Sequence, residues 1–70
     1  MPVLRVSMIE GRSNDQKARA AAALTAALEA HLGCRPEDVT IIFEEEPREN
    51  WAVAGRLLSE KRVAPEQSRA

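Results

Sequence analysis

Residues 2–16 read PVLRVSMIEGRSNDQ, and this stretch decides the fold. Val3 to Ile9 is rich in β-branched residues and runs into Glu10-Gly11-Arg12-Ser13, so it reads as a strand closed by a tight turn. Side chains alternate along a strand. Its even face carries Pro2, Leu4, Val6 and Met8, all apolar, and its odd face carries Val3, Arg5, Ser7 and Ile9. Ser13-Asn14-Asp15-Gln16 is a capping box: the Ser13 hydroxyl accepts from the backbone and the Gln16 side chain reaches back. A strand that gives way to a capped helix within a few residues opens a βαβ unit.

Working outward, the helix is expected to run from Ser13 to Leu32 and to stop at Gly33. Leu24, Leu28 and Leu32 repeat every four residues, with Ala20, Ala21 and Ala27 beside that stripe. Lys17, Arg19 and Glu29 fall elsewhere on the cylinder. Arg35-Pro36-Glu37-Asp38 reads as a turn, and Val39 to Phe43 as a second strand. That strand is almost continuously apolar, as in a parallel sheet covered on both faces. Strand, helix and strand then connect by a right-handed crossover. Glu44 to Asn50 reads as a polar turn containing Pro47, with Glu44, Glu45 and Glu46 as a solvated strand end. Trp51 to Gly55 reads as a short extended segment. Gly55 to Arg62 is open between a short strand or hairpin and a helical turn. One domain is expected over residues 1–63, with a polar tail at 64–70. The fold class is α+β, an α/β-type βαβ subunit with a short C-terminal strand or hairpin.

Composition says how such a unit is stabilised. Seventy residues make one domain at most, and a chain this short buries only about 60% of its unfolded surface. The single cysteine rules out an internal disulfide, and no Cys and His cluster suggests a structural metal. Oligomerisation is the remaining common route. The apolar even face of the first strand and the Trp51 segment are the surfaces expected to be covered by other copies. Net charge is −1 with both signs mixed, which argues against nucleic acid as a partner. No apolar run approaches a membrane span, and Arg5 and Ser7 interrupt any signal-peptide core. A cytoplasmic location is expected. Cys34 reads as a small loop residue, and His31 as a solvated or dipole-facing group near a helix end.

Three residues invite chemistry. Pro2 follows Met1, and methionine is generally removed before a small residue. Removal leaves a cyclic secondary amine at the start of a strand, a general base when neutral. Apolar burial and a nearby guanidinium both disfavour the ammonium form. The bland alternative is a proline that merely starts a strand. Arg12, in the turn, has a guanidinium fork suited to a carboxylate. The seven-residue strand separates it from Pro2 by more than about 20 Å, so it meets Pro2 only across chains. Its alternative is a solvated loop arginine. Trp51 suits either a pocket wall or an interface anchor.

Pro2, the strand ending in Ile9-Glu10-Gly11-Arg12-Ser13, Gln16-Lys17, and Asn50-Trp51-Ala52-Val53-Ala54-Gly55 together resemble the 4-oxalocrotonate tautomerase family. The resemblance covers residues 2–62 in the family's order and at nearly its spacing. It implies a βαβ subunit assembled as a hexamer, a trimer of dimers. It implies that Pro2 moves a proton between oxygen and carbon, or between two carbons, of an enol or unsaturated 2-oxo acid, in the setting of aromatic degradation. It implies that Arg12 binds a substrate carboxylate and that Trp51, Met8 and Val53 line the pocket. No cofactor and no metal is implied.

One position departs from the family pattern. The founding enzyme has a second arginine early in the second strand, and the matching residue here is Thr40. A hydroxyl donates a hydrogen bond without charge, and such bonds are about twofold weaker than charge-assisted ones. Arg5, Arg35 and Arg48 are the available replacements. The departure leaves two alternatives to a tautomerase: a non-catalytic subunit of a mixed assembly, or a dehalogenase, hydratase or biosynthetic activity on the same site. No acidic residue falls at a matching pocket position to activate water.

Overall fold

The computed structural model describes residues 1–60. In chain order the main elements are β1 (Val3–Ile9), α1 (Asn14–Leu32), β2 (Thr40–Glu46), β3 (Ala52–Val53) and β4 (Arg56–Leu57). Short 3₁₀ turns at Pro36–Asp38, Arg48–Asn50 and Leu58–Glu60 join or follow them. β1 and β2 form one two-stranded sheet, and β3 and β4 form another. The expected βαβ unit with a C-terminal hairpin is thus present. The expected tail at 64–70 and the boundary at 63 lie outside the described residues.

The described residues divide into two compact units, Met1–Val6 with Gly11–Phe43, and Ser7–Glu10 with the described residues from Glu44. In the first unit, Gly11 turns the chain with φ of 130°, a conformation that L side chains rarely adopt. Helix α1 then starts on the capping box. Gln16 N–H donates to Ser13 Oγ at 3.1 Å, and Ser13 N–H donates to Gln16 Oε1 at 2.9 Å. It ends where Gly33 turns left-handed (φ 73°) and donates its N–H to Glu29 C=O at 3.1 Å.

The covered side of α1 differs from the leucine stripe. Lys17, Ala21, Leu24, Thr25 and Leu28 are half-buried, whereas Ala20, Ala27 and Leu32 are exposed, Leu32 by 65%. Offsets of 4, 7, 8 and 11 from Lys17 follow the 3.6-residue period more closely than a strict four-residue repeat does. A repeat of four drifts around the cylinder, and by Leu32 it has left the covered side. Beyond the helix, Asp38 N–H donates to Arg35 C=O at 3.0 Å and Val39 N–H to Pro36 C=O at 3.1 Å. The Arg35 guanidinium forks onto Asp38, with Nε 3.1 Å from Oδ2 and Nη2 3.3 Å from Oδ1. This closed turn delivers the chain into β2.

The ladder ends fix the strand register. Thr40 N–H donates to Pro2 C=O, and Glu10 N–H donates to Glu46 C=O, both at 3.0 Å. Both bonds run in the same sequence order, so the strands are parallel, with Thr40 beside Val3 and Glu46 beside Ile9. Strand β2 therefore extends through Glu44, Glu45 and Glu46, three residues beyond the expected end at Phe43. A seven-residue β1 needs a seven-residue partner for its backbone groups, and this outweighs the polarity of the three glutamates. Ser7 Oγ also donates to Glu44 Oε1 at 3.0 Å across the ladder.

Burial reverses the expectation for β1. The even residues Leu4, Val6 and Met8 are half-buried, whereas Val3, Arg5 and Ser7 on the odd face are exposed. The apolar even face is therefore half-covered, and the odd face is open from Val3 to Ser7 and closed at Ile9. β2 is likewise not sealed on two sides: Thr40 is exposed, and Ile41 through Glu46 are half-buried. Ile9 is the one buried hydrophobic residue among the described residues. A domain with its own core buries several.

In the second unit, Ala52 pairs with Leu57 and Val53 with Arg56, antiparallel. The two-residue loop between them has positive φ at Ala54 (55°) and Gly55 (79°), as in a type I′ hairpin turn. Leu58 N–H then donates to Trp51 C=O at 2.9 Å. The stretch after Gly55 is thus a hairpin strand followed at once by a helical turn, both readings that the sequence left open.

Candidate active site

Pro2 is half-buried at the entrance to β1, and Met1 before it is 87% exposed. With Met1 attached, the ring nitrogen of Pro2 is an amide and has no basic lone pair. Cleavage of the bond after Met1 would convert that nitrogen into an amine. Among the expected site residues, Thr40 is the one brought directly to Pro2, through the backbone bond at 3.0 Å. Its side chain does not share Pro2's side of the sheet. Thr40 stands beside Val3 and shares the odd face of β1, while Pro2 precedes Leu4, Val6 and Met8 in the alternation.

Arg12 is half-buried in the turn after Gly11. The length of β1 separates it from Pro2 of its own chain by roughly 20 Å or more. Within the second unit, Met8 is half-buried on the even face of β1. Trp51 is half-buried after the Arg48–Asn50 turn, its N–H donating to Arg48 C=O at 3.2 Å. Val53 is 48% exposed on the hairpin.

The three arginines available to replace the family's second arginine differ in setting. Arg35 is held by Asp38 through two contacts, and its side chain is 75% exposed. Arg5 lies on the exposed odd face, two residues along β1 from the neighbour of Thr40. Arg48 is half-buried in the turn before Trp51. His31 is exposed in the last turn of α1. Cys34 is half-buried in the loop after α1, with Sγ 3.5 Å from Leu28 C=O.

Two features escaped the sequence reading. One is the pairing of Ser7 with Glu44, hidden because the glutamate run looks like a solvated end. The other is the Thr40 amide at Pro2, which depends on register. Matching the lengths of the two strands was the available signal for both.

Comparison with known proteins agrees with this fold. The family described as "Tautomerase enzyme" matches residues 2–61. A probable tautomerase of Ralstonia nicotianae is 40% identical over 70 residues, covering 100% of both chains. A 2-hydroxymuconate tautomerase of Bacillus subtilis is 35% identical, covering 86% of this chain and 97% of its own. Among solved structures, TomN, a 4-oxalocrotonate tautomerase homologue in the tomaymycin biosynthetic pathway, superposes with a TM-score of 0.84 at 45% identity, covering 91% of this chain and 98% of its own. A heterohexamer 4-oxalocrotonate tautomerase from Chloroflexus aurantiacus gives 0.83 at 42% identity, covering 89% of this chain and 100% of its own. The βαβ subunit with its C-terminal hairpin is the fold of these tautomerase structures. The chain belongs to the tautomerase family, in its 4-oxalocrotonate tautomerase branch, and is an enzyme with tautomerase activity. Among the described residues, no helix is long and apolar enough to cross a membrane.

Proposed function

We propose that this enzyme interconverts the enol and keto forms of a small 2-hydroxy or 2-oxo unsaturated carboxylate, with the Pro2 amine as general base after loss of Met1. The neutral amine takes the enol hydroxyl proton. The C–O bond becomes C=O, the carbon–carbon double bond shifts, and the resulting ammonium returns the proton to carbon. Atoms and charge balance without a cofactor. The observation that carries the reading is the position of Pro2: half-buried, at the start of β1, held at its carbonyl, and next to an exposed Met1. A base in such a place is partly desolvated and fixed in direction, as proton transfer requires.

The other roles follow from charge and shape. Arg12 of a neighbouring copy holds the substrate carboxylate by a charge-assisted fork. Trp51, Met8 and Val53 supply the apolar wall. Thr40 offers a hydroxyl, and because it stands on the opposite face from its own Pro2, it serves the site of another copy. These requirements support a hexamer, a trimer of dimers, with the small carboxylate as its other partner. Likeness to a 2-hydroxymuconate tautomerase supports that compound as a test substrate.

The test is turnover of 2-hydroxymuconate by wild type and Pro2→Ala. A general base contributes about 10²- to 10⁴-fold, and the substitution is expected to remove most of that while leaving the assembly intact. Turnover within about twofold of wild type removes Pro2 from the mechanism. One observation favours a second reading of the assembly, the likeness to a heterohexamer. In that reading a companion chain completes the site, and the purified chain alone is slow until the companion is added.

A further inference from the structure

We propose that the backbone amide of Thr40 is a positioning group for the catalytic amine, holding the terminal Pro2 through its carbonyl. The inference rests on the reading of Pro2 as the base and extends it to a residue whose contribution is not its side chain. Once Met1 is lost, Pro2 is a chain end, and chain ends fray unless tied down. Proline has no amide hydrogen, so Pro2 contributes no donor to the ladder. Among the bonds at the entrance to β1, the one reaching Pro2 is that from Thr40 N–H, 3.0 Å from its carbonyl oxygen.

The geometry of that bond decides what it controls. The Pro2 carbonyl and the Val3 nitrogen share one rigid peptide plane. With the carbonyl held, the ring retains rotation about its own Cα–C bond. With it released, rotation about the bonds of Val3 also opens, and the whole terminal residue swings. Proton transfer needs the base within hydrogen-bond reach of the substrate, and small misplacements are costly to rate.

The donor is itself placed by a closed turn. The bonds from Asp38 to Arg35 and from Val39 to Pro36, with the Arg35–Asp38 fork, fix the chain just before Thr40. Thr40 thus acts on its own Pro2 through the main chain, while its hydroxyl faces the other side of the sheet.

Two variants separate amide from side chain. Thr40→Val keeps the N–H and removes the hydroxyl. Thr40→Pro removes both, and its Cδ takes the place of the hydrogen facing the Pro2 carbonyl, so that carbonyl is displaced as well as released. Val39 before it already has φ −95° and ψ 124°, the extended conformation that a residue preceding proline prefers. Initial rates with 2-hydroxymuconate are measured for both variants, wild type and Pro2→Ala, with circular dichroism and light scattering as controls. Thr40→Pro is expected to show kcat at least about tenfold below Thr40→Val, with KM within about threefold. A purely structural loss would instead reduce the active fraction and the dichroism together. If Thr40→Pro does not fold, a synthetic chain without Met1 and with an ester in place of the Val39–Thr40 amide removes the same hydrogen, and the same kcat deficit is expected. Equal kcat for the amide-deleted form and Thr40→Val, with Pro2→Ala slow, overturns the role of Thr40 alone. Pro2→Ala as fast as wild type overturns the base and this inference together.

Discussion

A substrate with two carboxylates places different demands on the site than a substrate with one, and Thr40 is where that difference is felt. Arg12 can fork onto one carboxylate, but Thr40 offers only a neutral donor to the other end. Arg35 is already engaged with Asp38. A monoacid enol such as phenylenolpyruvate should therefore suffer less than 2-hydroxymuconate, relative to an enzyme with two arginines. Thr40→Arg should selectively raise kcat/KM for 2-hydroxymuconate. The gain is expected to be about 1.5–3 kcal/mol, the worth of a hydrogen bond to a charged group. The check is kcat/KM for both substrates in wild type and variant. Fast turnover of the dicarboxylate by wild type, with no gain in the variant, assigns the charge to another group. Arg5, on the same exposed face as Thr40, is then the first residue to replace.

At the scale of elements, the hairpin holds a local conflict. Ala54 has φ of 55°, a left-handed conformation that costs an L residue with a Cβ about 1–2 kcal/mol. Gly55 next to it adopts φ of 79° without that penalty. Asparagine tolerates the left-handed region, and Asn-Gly is the favoured pair for this turn. Ala54→Asn is expected to stabilise the folded protein by about 0.5–1 kcal/mol, read as a higher midpoint in urea. An unchanged or lower midpoint contradicts the turn assignment.

The sequence made the elements legible unevenly, and the reasons are physical. The capping box and Gly33 are local signals, satisfied within a few residues, and the ends of α1 lie where those signals place them. The end of β2 is not local. Glu44 to Glu46 have the composition of a turn, and only their pairing with Ser7 to Ile9 makes them strand. The inward face of β1 is likewise a property of the crossover, and alternation alone identifies two faces without saying which one is covered. Of the proposed site, the sequence offers Pro2, Arg12 and Trp51 as candidates by residue type and order. The alliance of Thr40 with Pro2 was not legible, because register is a relation between distant strands.

For the molecule as a whole, the open surface is one ground for the proposed assembly. Ile9 is the lone buried hydrophobic residue among the described residues, and Val3, Leu32 and Val53 are 55%, 65% and 48% exposed. Assembly would cover such residues, and the separation of Arg12 from its own Pro2 calls for it independently. Light scattering at micromolar concentration should give about six times the 7.7 kDa chain mass, with thermal stability rising with protein concentration. A folded monomer with a concentration-independent midpoint contradicts the shared site.

The central claim is that an amine at Pro2, not the fold alone, carries the proton. It is tested most directly by turnover of 2-hydroxymuconate with two chemically synthesised chains, one beginning at Met1 and one at Pro2, each brought to the same assembly state. They differ by one exposed residue, which decides whether the ring nitrogen is an amide or a base. The account predicts that the chain beginning at Pro2 is at least about 10²-fold faster in kcat. Equal rates from the two chains would contradict it.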